Sequence, residues 1–185
     1  MLEPHTTILD LATGALEPRR ELTERRLADL DGLFLEPVPP ERRGELAYTV
    51  SLIPAPADGA NLPSSTTVIR PGRVGEEFFM TKGHFHARRD RAEIYLGLSG
   101  EGRLVMATAD GRTAVEPVRA GTVSYVPGHW AHRTVNVGEE PLVFYAVYPG
   151  DAGYDYATIE DEGFPVVLLA GEAEPRVVPN PRYGS

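Results

Sequence analysis

The stretch GHFHARRDRAEIYLGLSGEG, residues 83–102, carries two of the chain's 5 histidines one residue apart, and Glu93 stands seven positions after the second. On a strand, positions i and i+2 share one face with side chains about 7 Å apart along the chain. His84 and His86 can therefore converge on one ion. The run ARRDR reads as a hairpin turn and AEIYLGLSG as the strand beyond it, so folding back brings Glu93 beside both imidazoles. A later stretch, VPGHWAHRTVNVG (126–138), adds His129 and His132 near a strand start. These residues alone leave three readings open. One is a metal set and one an acid-base pair; the third is ordinary hydrogen-bonded histidines with Glu93 in a hairpin salt bridge to an arginine.

The surroundings of that stretch share its texture. From residue 46 the chain runs through LAYTVSLIP, STTVIRPG, EEFFMT, AEIYLGLSG, GRLVMATADG, TAVEPVRAG, TVSYVPG, HRTVNVG and PLVFYAVYPG. Each is short, rich in β-branched or aromatic residues and closed by Gly, Pro or Asp-Gly, which is the signature of a sandwich or barrel of short strands. The tail GFPVVLLAGEAEPRVVPNP (163–181) predicts one more hairpin. Upstream, RRELTERRLADLDGLF (19–34) spaces Leu22, Leu27, Leu30 and Leu33 among charges, which predicts a short amphipathic helix ending at Gly32. No stretch has the composition of a linker. The expectation is one all-β domain over 1–185, with an N-terminal arm and short helix (1–45), a core (46–150) and a C-terminal extension packed on it (151–185).

Composition narrows the function. At 185 residues the chain matches roughly one domain, and it needs no disulfide to build a core. It has no cysteine, which excludes thiolate metal sites and cysteine nucleophiles and fits a reducing compartment. A net charge of −9 argues against a nucleic-acid partner, whose phosphates demand a basic face. No apolar run approaches the roughly 20 residues that span a bilayer, and MLEPHTTILD lacks the pattern of a secretory signal. A cytoplasmic protein with no membrane partner is expected. Lys82, Arg88, Arg89 and Arg91 cluster around the histidines, either as a solvated turn or as a positive rim that draws in an anion.

The spacings join into a larger pattern. Six residues separate Glu93 from Gly100, five separate Gly121 from Pro127, and His132 and Asn136 follow at steps of five and four. This resembles the two-part cupin signature, H-x-H…E-x6-G followed by G-x5-P…H-x3-N. There are two departures. Six residues lie between His86 and Glu93 where three or four are usual, and His129 replaces an internal glycine. The resemblance implies a cupin double-stranded β-helix, a jelly-roll barrel, with His84, His86, Glu93 and His132 as a three-histidine, one-carboxylate site. Such nitrogen and oxygen ligands suit one divalent ion per chain, Fe(II) first, with Mn(II), Ni(II) or Zn(II) as alternatives.

The longer gap points to a particular group. MTKGHFHARRDRAEIY and YVPGHWAHRTVNVGEEP, with ATG in the arm, TTVIRPG and YAVYPGDAGYDYATI, resemble the cupin-type phosphoglucose isomerases over nearly the whole chain. That family's first motif, T-x-G-H-F-H-x6-E-x-Y, contains the six-residue gap. The resemblance implies interconversion of glucose 6-phosphate and fructose 6-phosphate. Glu93 is then the candidate base for a proton shuttled through a cis-enediol, with a metal-assisted hydride shift as the rival route. Tyr95 joins Glu93 in catalysis. Thr67, Thr81 and Gly83, backed by Tyr148 and Tyr156, are implied phosphate partners, and Tyr48 and Tyr95 sugar-hydroxyl partners. Tyr154 stands where the family commonly has a histidine. A homodimer with the arm contributing is also implied. Two other functions use the same motifs: a cupin dioxygenase, and a non-enzymatic sugar-phosphate-binding cupin.

Overall fold

The computed structural model describes residues 3–184, and most of its ordered segments are strands. The arm begins as a ribbon of β1 (Ile8–Leu9) against β2 (Leu16–Glu17). Gly14 between them takes φ +73 and sits where a Cβ would come within 2.9 Å of Val68 and 3.0 Å of Val143. The Thr66 hydroxyl donates to the Gly14 carbonyl at 2.8 Å, which seats the arm on the main sheet.

The helix expected over 19–34 is corrected to a strand, β3 (Leu22–Arg26), followed by a single 3₁₀ turn at Leu27–Leu30. The reason is pairing. β3 lies antiparallel to β4 (Leu46–Ile53), from Leu22 opposite Ser51 to Arg26 opposite Leu46. A ladder of backbone hydrogen bonds thus overrides a helical period that only Leu27 and Leu30 satisfy by burial.

The segments expected between 46 and 150 become β4, β5 (Ser64–Ile69), the short pair β6 (Arg73–Val74) and β7 (Glu77–Phe78), β8 (Glu93–Ser99), β9 (Glu101–Thr108), β10 (Thr113–Arg119), β11 (Val123–Val126), β12 (Trp130–Asn136) and β13 (Leu142–Val147). EEFFMT forms a ladder only at its start. Beyond it the chain touches β12 through single bridges, Met80 to Val135 and His84 to His132. After α1 (Ala157–Glu162), the tail pairs β14 (Val166–Leu169) with β15 (Arg176–Pro179), the hairpin the sequence predicts.

Six strands form one sheet in the order β11-β8-β13-β5-β4-β3, and three form another, β10-β9-β12. β13 sits between β8 and β5, far from both in sequence, as jelly rolls require. A smaller sheet, β15-β14-β7-β6, carries the tail. One buried cluster runs from Leu27 through Leu104 and Phe144 to Leu168.

Register decides which side chains meet. Tyr95 opposes Ala146, Ala146 opposes Ser65, and Thr67 opposes both Phe144 and Val50. With the strand period of two, this puts Tyr48, Val50 and Leu52, then Ser65 and Thr67, then Phe144 and Ala146, then Glu93 and Tyr95, on one face of the large sheet. Asn136 ties that sheet to the other. Fully buried at the end of β12, it donates through Nδ2 to the carbonyls of Ile69 and Glu140, both at 2.9 Å, and accepts from the Gly138 N–H at 3.0 Å.

Replacing Asn136 by Ala leaves those buried groups without partners. The expected loss of unfolding free energy is about 2–4 kcal/mol, read from urea denaturation of the two proteins. A loss below about 0.5 kcal/mol, the scale of an ordinary surface substitution, would contradict the tie.

Candidate active site

His84 enters the site from the segment bridged to β12. Its N–H donates to the His132 carbonyl at 3.2 Å, and the His132 N–H returns the bond to the His84 carbonyl at 3.0 Å. This reciprocal pair places the two rings 4.5 Å apart. His86, two residues on, brings its ring to 5.6 Å from His84 and 5.2 Å from His132. Phe85 between them turns the other way and is buried under the Arg89 guanidinium, 4.0 Å from its ring. Glu93 opens β8, and its Oε2 lies 3.2 Å from His86 Nε2 and 2.9 Å from His132 Nε2. One ligand atom from each of the four residues lies within 4.8 Å of all the others.

The four residues fit a divalent cation. His86 Nδ1 lies 2.9 Å from the Arg91 carbonyl. A carbonyl only accepts, so Nδ1 carries the proton and, in the neutral ring, Nε2 presents its lone pair to Glu93. A lone pair facing a carboxylate oxygen is repulsive unless a cation lies between them. His84 Nε2 is likewise buried with no hydrogen-bond partner, and His132 Nε2 meets Glu93 Oε2 at 2.9 Å without hydrogen-bond geometry. Backbone carbonyls that fix ligand tautomers in this way are characteristic supports of metal-bound imidazoles. Burial, then the neighbouring His132, holds His84 well below the ordinary imidazole range, so it is a neutral donor. Burial pushes the Glu93 carboxyl up, but in the absence of a cation, N–H groups of His132 and His86 turned toward it would outweigh this and bring it to about 2. It is ionised at neutral pH.

The set lies in a cavity of ≈ 440 Å³ between the sheets. Tyr48, Thr67, Thr81, Gly83, Tyr95, Tyr148, Tyr154 and Tyr156 all line it, together with His84, Glu93 and His132. Tyr95 stacks on Phe144 at 4.8 Å. Burial, then the Glu93 charge, pushes its hydroxyl well above the ordinary phenol range, so it stays protonated. Tyr154 packs edge-on to His84 at 4.9 Å, stacks with Tyr156 at 5.7 Å and reaches the Tyr148 hydroxyl at 3.2 Å. These three rings wall the mouth of the cavity.

The positive rim is not formed as a group. Arg88 and Arg91 pair with Asp151 at 2.6 and 2.7 Å, and Arg89 pairs with Asp155. Of the four cations only Lys82 lines the cavity, paired with Glu160 and 5.0 Å from the Tyr156 ring centroid. Arg25, Thr23 and Ser65 line it too and escaped the sequence reading. Arg25 and Thr23 fell inside the misread helix; β3 pairing with Tyr48 and Val50 was the signal that would have found them.

His129 stays outside. It is exposed, precedes β12 and has φ +69, a left-handed conformation that favours glycine. Its N–H donates to the Arg89 carbonyl at 2.5 Å. The departure from the motif glycine is thus a histidine holding a glycine's backbone shape.

The family model for glucose-6-phosphate isomerase matches residues 24–177. Glucose-6-phosphate isomerase of Pyrococcus horikoshii is 44% identical over 98% of this chain and 97% of its own. That of Thermococcus kodakarensis is 46% identical over 95% of this chain and 94% of its own. Among solved structures, oxalate decarboxylase of Bacillus subtilis aligns at 27% identity and a TM-score of 0.45, over 59% of this chain and 27% of that one.

His132→Ala is expected to lose bound metal and His129→Ala to keep it, with elemental analysis of protein purified in the presence of Mn(II) as the measurement. The reverse pattern would show that the wrong histidine has been placed in the centre.

Proposed function

The chain belongs to the glucose-6-phosphate isomerase family, and we propose that it interconverts glucose 6-phosphate and fructose 6-phosphate at the His84, His86, Glu93 and His132 centre. The observation that carries this reading is an ionised carboxylate beside three inward histidines, at the base of a cavity whose walls are hydroxyl donors. A divalent ion, Fe(II) first and Mn(II), Ni(II) or Zn(II) after it, would supply Lewis acidity that polarises the sugar carbonyl.

The chain's own residues do the rest. Glu93 removes the proton at C2 of the aldose and returns it at C1, while the hydroxyl proton of O2 passes to O1, so that a cis-enediol lies between the two carbon transfers. Its low proton affinity keeps it in the accepting form before the first transfer. Tyr95 remains protonated and donates to a sugar oxygen, and Tyr48 binds a second hydroxyl. Thr67, Thr81 and Gly83 supply phosphate contacts at the far end, with Tyr148 and Tyr156 behind them. Tyr154, hydrogen-bonded to Tyr148, stands in for the histidine common in the family and donates rather than exchanges protons, because burial pushes its hydroxyl upward. We read it as a cytoplasmic enzyme, since an enzyme of phosphorylated sugars works where those sugars are kept. Among the described residues no helix is long and apolar enough to cross a membrane.

We also read the protein as a homodimer. Ile94 and Leu96 of β8 oppose Tyr125 and Val123 of β11 on the outer face of the large sheet. All four are exposed, Val123 at 70%, and Ile8 and Leu11 of the arm are exposed as well. An apolar group of this kind beside an edge strand is a surface that association covers.

Glu93→Gln should retain part of the metal while turnover of fructose 6-phosphate falls about 100-fold or more, as when a general base is removed. Chelation of the wild type should abolish turnover, and readdition of a divalent ion should restore it. Near wild-type turnover by metal-loaded Glu93→Gln would remove Glu93 from the base role, and full activity of demonstrably metal-free protein would remove the metal. Sedimentation at micromolar concentration should give a mass near twice 20.2 kDa. A monomer there would exclude the dimer.

A further inference from the structure

Arg133 has no place in the chemistry above, yet it is buried beside it. It follows His132 on β12, so its side chain leaves the opposite face of the strand, and only 5% of the residue is exposed. The guanidinium lies against the Phe164 ring at 4.7 Å. Nη2 donates to the Lys82 carbonyl at 2.8 Å, and Nε is buried with no partner. No carboxylate of the described residues forms an ion pair with it. Glu77 shares its small cavity and compensates part of its charge at a distance, while accepting the Leu35 N–H at 2.8 Å. A buried cation with no anion in direct contact is costly.

The bond to Lys82 has a consequence on the other side of the chain. A trans peptide is planar, so the Lys82 carbonyl and the Gly83 N–H point in opposite directions. A guanidinium that pulls the carbonyl outward, away from the cavity, turns the Gly83 N–H inward. Gly83 lines the cavity with Thr81 and Lys82, and its N–H makes no hydrogen bond to the described residues. Its neighbours are anchored. The Thr81 N–H donates to the Thr134 carbonyl at 2.8 Å, and the His84 N–H is held by His132. Gly83 has φ +77, and a Cβ there would fall 2.7 Å from Phe164 and 3.0 Å from Arg133. The glycine is therefore packed against the Arg133 side chain from behind.

We propose that Arg133 is a positioning residue for the substrate phosphate: it fixes the Lys82–Gly83 peptide with its N–H aimed into the cavity, and its positive charge lies behind that N–H. The proposal rests on the isomerase reading and on the phosphate end lying at Thr81 and Gly83. The bound phosphate is then a second anion for a guanidinium that Glu77 compensates only at a distance, reached through a polarised peptide rather than by contact.

The test uses zinc-loaded, ¹⁵N-labelled wild-type protein titrated with inorganic phosphate. The Gly83 amide and the Arg133 Nε–H resonances should both shift along one saturable curve. If neither moves, the phosphate end is elsewhere, and both this proposal and that part of the functional reading fall. If Gly83 moves and Arg133 does not, the phosphate end stands and the role of Arg133 is overturned. Kinetics give the second arm. Arg133→Met should raise KM for fructose 6-phosphate about 10-fold or more, the size of a lost charge-assisted contact, while kcat changes much less. Inhibition by inorganic phosphate should weaken by the same factor, and Arg133→Lys should recover part of both. A folded Arg133→Met protein with lower thermal stability but unchanged KM and unchanged phosphate inhibition would show the arginine to be structural only.

Discussion

The site depends on one reciprocal backbone contact, the two hydrogen bonds between His84 and His132. The segment from Met80 to His86 has no ladder of its own, and its backbone pairs with β12 only at single bridges. That contact fixes where two imidazoles stand, and the peptide spacing then carries His86 to the same point. β12 is in turn paired along its whole length with β9, from Trp130 opposite Thr108 to Asn136 opposite Gly102. A loose segment is thus referenced to a rigid strand, as a coordination site requires if its ligands are to stay within tenths of an ångström.

The remaining walls come from the six-stranded sheet, where the alternation of a single face does the sorting. Tyr48 and Thr67 are diagonal neighbours on β4 and β5, and Tyr95, on β8, joins the same face across β13 through Ala146 and Phe144. The same alternation sends Ile94 and Leu96 outward beside Val123 and Tyr125. One strand, β8, therefore divides its residues between the cavity and the outer surface, and a slip of one residue would exchange the two sets. Gly97 and Gly100 hold this register: a Cβ would come within 2.2 Å of the Arg119 carbonyl at the first and 2.4 Å of the Pro141 carbonyl at the second.

Much of this was legible in the sequence because it is local or motif-borne. The short strands between 46 and 150 and the tail hairpin declare themselves by β-branched runs closed by turn residues. The ligand spacing names His84, His86, Glu93 and His132, and His132 is separated from His129 by its place in the motif. What was not legible depends on partners distant in the chain. The period of Leu22, Leu27 and Leu30 is compatible with a helix, and only the availability of β4 decides for a strand. Arg88, Arg89 and Arg91 read either as a solvated turn or as a positive rim until Asp151 and Asp155 arrive from sixty or more positions away to neutralise them. Arg133 carried no signal, since an arginine on a strand is ordinarily a surface residue.

These neutralised arginines bear on how a chain of net charge −9 takes an anionic substrate. A general field cannot draw it in, because the global sign is wrong and salt screens charges beyond about 8–10 Å. The attraction must be made inside the cavity, where lower polarity strengthens each interaction. Lys82 and Arg25 are the cationic side chains on its wall, and Lys82 is already engaged by Glu160. In the proposed function that leaves neutral donors with much of the work: hydroxyls of Thr67, Thr81 and the tyrosines, and a backbone N–H at Gly83. Neutral donors cost little to desolvate, so they can be buried in advance, and they bind an anion without holding it so tightly that product release suffers. Charge is better placed one layer back, behind an oriented peptide, where water cannot screen it and no substrate atom must be stripped to reach it.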